Sequence, residues 1–247
     1  MISVVINTFN EEKNIKGCLE SVKWVDEIVV VDMYSDDRTV QIVQDYTDKI
    51  FMHKRVGHVE PARNFAISKA TGDWVLVLDA DERVPRSLAT KLKQIVRENP
   101  HGVSAVSFPR KNVFFNKWIR HTGWWPDYKR RFFRKGGVRW SSKIHSIPVI
   151  LDGKELKLPP KERYAIDHLP VSITGFIFKI SSYASVEAQI LKSEGKTFSL
   201  AGALKRSGGE FYTRYVEEQG YKDGVHGLLL SVFMSYYWFL AYAKLWK

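Results

Sequence analysis

Apolar positions come in short, almost unbroken runs, separated by stretches where they recur every three or four residues. The runs at 2–6, 27–31, 50–53, 74–78 and 103–108 are mostly Val, Ile, Leu and Phe and predict strands. Residues 14–22 carry Ile15, Leu19 and Val22, and 87–98 carry Leu88, Leu92, Ile95 and Val96, which is helical spacing. A further helix is predicted over 60–70 after a turn at Gly57. Another opens at Val40 behind the Ser35-Asp36-Asp37-Arg38-Thr39 loop. Apolar strands alternating with helices predict an α/β fold, a mostly parallel central sheet with flanking helices on both faces. Ligands of such sheets sit beyond the carboxyl ends of the strands. Asn10, Asp32, Asp79 and Asp81 all fall at those ends.

Past Phe108 the alternation stops. The stretch to Lys143 is basic and aromatic, with Trp118, Trp124, Trp125 and Trp140. A hairpin is predicted over 149–158 around Asp152-Gly153, ended by Pro159-Pro160. Residues 171–194 predict a long helix with Ile173, Phe176, Ile177, Ile180, Tyr183, Val186 and Ile190 as its stripe. A weaker helical region covers 198–215, and 225–247 is helical after Gly220 and Gly224, giving a helical C-terminal extension.

Composition narrows the class. The 247 residues are 45% hydrophobic and 26% charged, which excludes a wholly disordered chain. The single cysteine, Cys18, excludes an internal disulfide framework and a cysteine-rich metal site. The N-terminus lacks a basic region ahead of its first apolar run, so no secretion signal and a cytoplasmic location are expected. The net charge of +11 is concentrated: 110–143 holds eleven Lys/Arg against one acid, Asp127. Such a segment is a candidate docking surface for phosphates, anionic lipid or nucleic acid, or else a solvated face. No Gly-x-Gly-x-x-Gly follows the first strand and no P-loop motif occurs, which argues against dinucleotide and P-loop nucleotide binding.

The strand-end carboxylates carry the chemistry. Asp79-Ala80-Asp81 places two acids at alternate positions past a buried run, where carboxylates without partners are costly. Oxygen ligands there suit Mg2+ or Mn2+, which would hold a nucleotide diphosphate as a leaving group. Asp32 either shapes a turn or accepts hydrogen bonds from a base or ribose. Asp37 and Arg38 read as a local pair, and Asn10 with Glu11 or Glu12 as turn and cap residues. Arg63 either meets a phosphate or forms a surface salt bridge.

These segments resemble an inverting family 2 glycosyltransferase of the GT-A fold. The residues that carry the resemblance are Ser3-Val4-Val5-Ile6-Asn7-Thr8-Phe9-Asn10-Glu11-Glu12, Glu27-Ile28-Val29-Val30-Val31-Asp32, Ala62-Arg63-Asn64-Phe65-Ala66 and Thr71-Gly72-Asp73-Trp74-Val75-Leu76-Val77-Leu78-Asp79-Ala80-Asp81-Glu82. Trp124-Trp125-Pro126-Asp127-Tyr128, Arg131-Phe132-Phe133-Arg134 and the 220–247 tail extend it to the bacterial lipopolysaccharide-core β-1,4-glucosyltransferase branch. The resemblance implies nucleotide contacts near Thr8, Asn10, Glu12 and Asp32, a metal role for Asp81 with Asp79 assisting, and Asp127 as catalytic base. It implies a UDP-sugar, with glucose as the leading sugar, and a glycan or lipid-linked acceptor. On this reading 1–110 is the nucleotide-sugar-binding part, 111–168 the acceptor-side part of the same domain, and 169–247 a helical extension. The chain departs from that branch at Ile144-His145-Ser146, where Val-His-Glu is usual, and at His58, where a small residue is common.

As the one acid in the basic segment, Asp127 is expected to be ionised, as a base must be. Close pairing with Arg130 or Arg131 would count against that role. Trp124, Trp125 and Trp140 are candidates for stacking on sugars, and Trp118 and one of the adjacent pair are equally candidates for the core. His145 and His168 either reach the site or orient a partner, or are satisfied structural histidines, which is the expected reading. The nineteen residues 225–243 have no Lys, Arg, Asp or Glu but include His226, Ser231, Ser235 and three tyrosines. That suits a helix at an anionic membrane surface, on the inner face of the cell membrane, better than a span. Internal packing or a homodimer contact is the alternative. Two rival classes remain beside the enzyme: a nucleic-acid-binding protein, resting on the charge, and a membrane-associated scaffold without turnover. The paired carboxylates and Asp127 favour the enzyme, and nucleic acid is not an expected partner.

Overall fold

A computed structural model describes residues 1–54, 60–140 and 148–246. The chain divides into two compact units, one of Met1–Arg110 with Tyr128–Leu169, the other of Lys111–Asp127 with Pro170–Lys247. The expected middle part, 111–168, is therefore not one piece: its first seventeen residues join the C-terminal helices.

The first unit opens with β1 (Ile2–Thr8), α1 (Ile15–Ser21), β2 (Glu27–Asp32), α2 (Thr39–Gln44), β3 (Ile50–Met52), α3 (Glu60–Lys69) and β4 (Trp74–Asp79). β5 (Glu82–Arg83), α4 (Arg86–Glu98) and β6 (Val103–Phe114) follow; β7 (Lys117–Trp118) pairs antiparallel with the end of β6. The chain continues through β8 (Asp127–Arg134), β9 (Val138–Arg139), β10 (Val149–Ile150), β11 (Lys154–Lys157) and β12 (Ile166–Val171). The main sheet runs β3-β2-β1-β4-β8-β6-β12-β5. Its first four strands are parallel, and both faces are covered as expected. Val4 and Ile6 of β1 pack with Leu19, Leu88 and Leu92 on one side, while Val5 packs with Ala62 and Ala66 on the other. Alternation along a strand explains the division.

Two features differ from the expectation. A central antiparallel strand, β8, lies inside the basic segment. Its Phe132 and Phe133 enter the two opposite cores, facing Leu76 and Val75 of β4. Its arginines are accommodated by partners: Arg130 takes Glu155 through two nitrogens, at 3.0 and 2.7 Å, and Arg134 lies over the Trp74 ring at 4.9 Å. The expected 149–158 hairpin does not form. β10 pairs antiparallel with β9, whereas β11 pairs parallel with β6. Gly153, at φ +82°, turns the chain between them; a β-carbon there would meet the Gly102 carbonyl oxygen at 2.6 Å.

Glu27 fastens the amino ends of the strands. Its side chain is 4% exposed and accepts from Ser3, from Lys49, and from the amide and hydroxyl of Thr71 at 2.7 and 2.8 Å. Burial pushes its carboxyl up, but Lys49 and these donors outweigh burial and bring it down to about 2 from 4.5. Its contribution to stability is complete above pH 4.5 and fades as pH falls toward 2. Glu27→Gln is expected to cost about 2 kcal/mol at pH 7. The gap from wild type should narrow on acidification, as urea unfolding at pH 7 and pH 3 would show.

The second unit is built on α5 (Ile173–Ser193), α6 (Leu200–Tyr212) and α7 (Val225–Ala243). Ser172 and Ser199 cap the first two, accepting from the amides of Gly175 and Gly202. Phe176 and Ile180 of α5 cluster with Leu230 of α7, Phe114 and Ile119. Asp223, 3% exposed, accepts from the amides of Arg120 and His121 at 3.3 and 2.9 Å and from the Thr122 hydroxyl at 3.1 Å. This carboxylate explains why Lys111–Asp127 belongs with the helices. Opposite its packed side, α7 exposes Leu228, Val232, Tyr236 and Phe239, spaced as one helical stripe.

Candidate active site

β4 ends in the first unit on Asp79, and two guanidinium groups converge on it. Arg63 of α3 donates to one carboxylate oxygen at 2.8 Å and Arg131 of β8 to the other at 2.7 Å. Burial pushes the Asp79 carboxyl up, yet Arg131 and Arg63 overcome this and hold it well below the usual carboxylate range. Glu82 is fully buried beneath. It accepts from the Asp79 amide at 3.1 Å, with Arg110 at 3.4 Å and Arg131 at 3.5 Å. Arg63 also lies over the Trp140 ring at 5.1 Å, which fixes the arginine from a second side and places that tryptophan in the core.

Asp81 lies past this clamp. His168 of β12 brings Nε2 to 3.4 Å from its carboxylate, and the Leu169 amide bonds the Asp81 carbonyl at 3.0 Å. The pairing of β12 with β5, His168 opposite Glu82, sets that approach. His168 differs from the expected satisfied histidine, because its other ring nitrogen is buried without a hydrogen-bond partner. Sequence distance hid the pairing: nothing near 168 marks it as a neighbour of 81.

The two aspartates of Asp79-Ala80-Asp81 therefore have different surroundings. Both Asp79 oxygens are taken by arginines, and Asp81 has other neighbours because β4 ends at Asp79 and the chain turns at 80–81. No group of three or more His, Cys, Asp or Glu suited to a metal occurs among the described residues. The donor set that remains, one carboxylate and one imidazole, still fits a divalent ion that completes its shell with water and phosphate oxygens.

At the ends of β1 and β2 the other candidates are knitted together. Asp32 is fully buried and both carboxylate oxygens accept from Ser35, at 2.7 Å from its amide and 2.6 Å from its hydroxyl. Asn10, at φ 55°, exchanges hydrogen bonds with Asp36. Glu12 accepts from Arg38 at 3.3 Å, and Asp37 accepts from the Glu12 amide at 3.1 Å. Thr8 is buried with its hydroxyl unpartnered. Asn7, which the sequence did not single out, lies between Val31 and Asp79 in register, with both ends of its amide buried and unpartnered. Such groups are ordinarily satisfied by water or ligand.

Asp127 lies in the second unit. Fully buried Asn112 donates through one nitrogen to Asp127 at 3.1 Å and to the Trp124 carbonyl at 3.2 Å. Arg130 and Arg131 are engaged with Glu155 and Asp79. Trp124 packs in the apolar cluster around Phe114 and Phe176, whereas Trp118 and Trp125 meet at right angles, 5.2 Å apart.

The basic segment is less a free patch than its charge implied. Arg110, Arg130 and Arg131 face carboxylates, and Lys117 and Lys135 bond backbone carbonyls. Gly57, His58, Lys143, Ile144, His145 and Ser146 lie outside the described residues.

Residues 3–150 match the family described as Glycosyl transferase family 2. The SPbeta prophage-derived glycosyltransferase SunS of Bacillus subtilis is 32% identical over 152 residues, 60% of this chain and 35% of SunS, so the chain spans about a third of that relative. The lipopolysaccharide core biosynthesis glycosyltransferase LpsC of Rhizobium meliloti is 24% identical over 257 residues, 100% of this chain and 92% of LpsC. Among solved structures, TarS of S. aureus aligns at a TM-score of 0.46 and 21% identity, over 76% of this chain and 39% of TarS. By the family match, which spans more than half of its length, the chain belongs to glycosyltransferase family 2.

Proposed function

We propose that the chain is a metal-dependent inverting glycosyltransferase that moves glucose from UDP-glucose to a lipid-linked glycan of the lipopolysaccharide-core type. The observation that carries the reading is the meeting of Asp81 and His168 beside a carboxylate already neutralised by arginines. Asp81 and His168 would hold Mn2+ or Mg2+, and the bound ion supplies positive charge to the diphosphate leaving group. Arg63, kept in place by Asp79 and Trp140, offers a further cation to phosphate. Thr8, Asn10, Glu12 and Asp32 form the turns that receive the nucleoside. Asp127 takes the proton of the attacking acceptor hydroxyl while Asn112 orients its carboxylate. One displacement at the anomeric carbon inverts its configuration, and no covalent sugar–enzyme intermediate forms. The name of LpsC supports the acceptor class. The apolar stripe of α7 and the reach of 225–246, long and apolar enough to cross a membrane, support residence at the inner membrane face.

A donor screen tests this. UDP-, GDP- and ADP-sugars are offered to the full chain with and without Mn2+ or Mg2+, and binding and hydrolysis are followed. One donor, a UDP-sugar, is expected to bind at least tenfold tighter with metal. Absence of binding to every donor by folded, metal-loaded protein would overturn the reading.

A further inference from the structure

We infer that the surface around Trp118 in the second unit is an acceptor subsite for a saccharide bearing an anionic substituent, a phosphate or a carboxylate; this rests on the glycosyl-transfer reading above. Among the described basic residues of 110–143, Arg120 and Arg139 are the two whose side chains make neither an ion pair nor a hydrogen bond. Arg139 is on β9 of the first unit. Arg120 is exposed, and its guanidinium carbon stands 4.1 Å from the centre of the Trp118 ring. Lys111 brings its ammonium to 4.9 Å from the same ring. Two cations over one indole, beside the perpendicular Trp125, combine a stacking surface with positive charge.

The backbone beneath Arg120 is built. Buried Asp223 receives its amide, the next amide and the Thr122 hydroxyl. The Arg214 guanidinium bonds the Thr122 carbonyl at 2.9 Å. This neutralised anchor leaves the Arg120 guanidinium outward, where its planar fork matches phosphate or carboxylate geometry. The aromatic rings take the C–H face of a sugar. Asp127 lies two residues beyond Trp125, and its Asn112 partner adjoins Lys111 in sequence. A carboxylate base repels an anionic acceptor, and cations at the acceptor subsite offset that repulsion.

The test titrates the full chain with glucose, glucose 6-phosphate, glucuronate and inorganic phosphate, reading tryptophan fluorescence and ligand-observed NMR. UDP-glucose binding is measured on the same preparation. One of the two charged sugars is expected to bind at least tenfold tighter than glucose, and which one it is identifies the substituent. Arg120→Ala should bring that preference to within twofold of glucose, Arg120→Lys should restore part of it, and Trp125→Ala should weaken both sugars. UDP-glucose binding should be unchanged in all three variants. Equal binding of charged and neutral sugars, no binding of any, or a preference that survives Arg120→Ala overturns the subsite. Inorganic phosphate binding as tightly as the charged sugars also overturns it, because the saccharide then contributes nothing. Loss of UDP-glucose binding by wild type would instead sink the glycosyl-transfer reading itself.

Discussion

Asp127→Asn is expected to lower the rate of sugar transfer roughly a thousandfold while leaving donor affinity and melting temperature near wild type. The separation follows from the local bonding. Asn112 donates to one oxygen of Asp127, and the amide oxygen of the substituted side chain can accept the same hydrogen bond. Size and shape barely change, so the peptide around Trp124 and Trp125 keeps its anchors. The variant loses the basic oxygen that would receive the acceptor hydroxyl proton. Arg130 and Arg131 do not compensate, because a guanidinium stays protonated and cannot accept a proton. Single-turnover transfer, with donor binding measured separately, checks the split. A fall of less than tenfold would remove Asp127 from the role of base; a parallel loss of donor binding would mark it as a nucleotide ligand.

The amino-terminal half was legible because its signals are local. Runs such as Val29-Val30-Val31 and Val75-Leu76-Val77-Leu78 must be buried on two faces, and that requirement alone yields a parallel sheet with carboxylates at its carboxyl edge. β8 escaped because its sequence, Asp127-Tyr128-Lys129-Arg130-Arg131-Phe132-Phe133-Arg134, looks like solvent-exposed chain until its partners are known. Arg130 and Arg131 are neutralised by residues distant in sequence: Glu155 for Arg130, Asp79 and Glu82 for Arg131. Charge periodicity carries no such information. The pairing of His168 with Asp81 was hidden for the same reason, since its neighbour is set by the strand pairing of β12 with β5. The helices of the extension were legible from apolar spacing, but their union with Lys111–Asp127 was not. That depends on Asp223, an acid whose partners are mostly backbone amides. Local periodicity therefore located elements, whereas the neutralisation of buried charge decided which of them meet.

Asp79→Asn and Asp81→Asn are expected to fail in different ways, although the two residues are two positions apart. Asp79 is a quarter exposed, at 26%, but Arg131 is only 6% exposed and depends on it for charge. The amide variant leaves Arg131 and Arg63 facing a neutral group, with Glu82 and the more weakly felt Asp81 to balance Arg131. Breaking a buried pair in this way costs about 3–5 kcal/mol. The pH dependence has a definite sign. Burial raises the Asp79 carboxyl, Arg131 and Arg63 lower it further, and the folded value ends well below the ordinary 3.8. Its stabilising contribution is thus complete above the ordinary value and is lost as acid protonates it. Urea unfolding should show a large deficit for Asp79→Asn at neutral pH that shrinks below pH 3.8. Asp81 meets His168 at 3.4 Å, and Asp81→Asn should unfold closer to wild type than Asp79→Asn does. It should lose the metal-dependent part of donor binding, at least tenfold, while metal-independent binding persists. An Asp79→Asn protein of wild-type stability that lost metal response would move the ion to Asp79, because a carboxylate free to ligate a cation is not one that two buried arginines require.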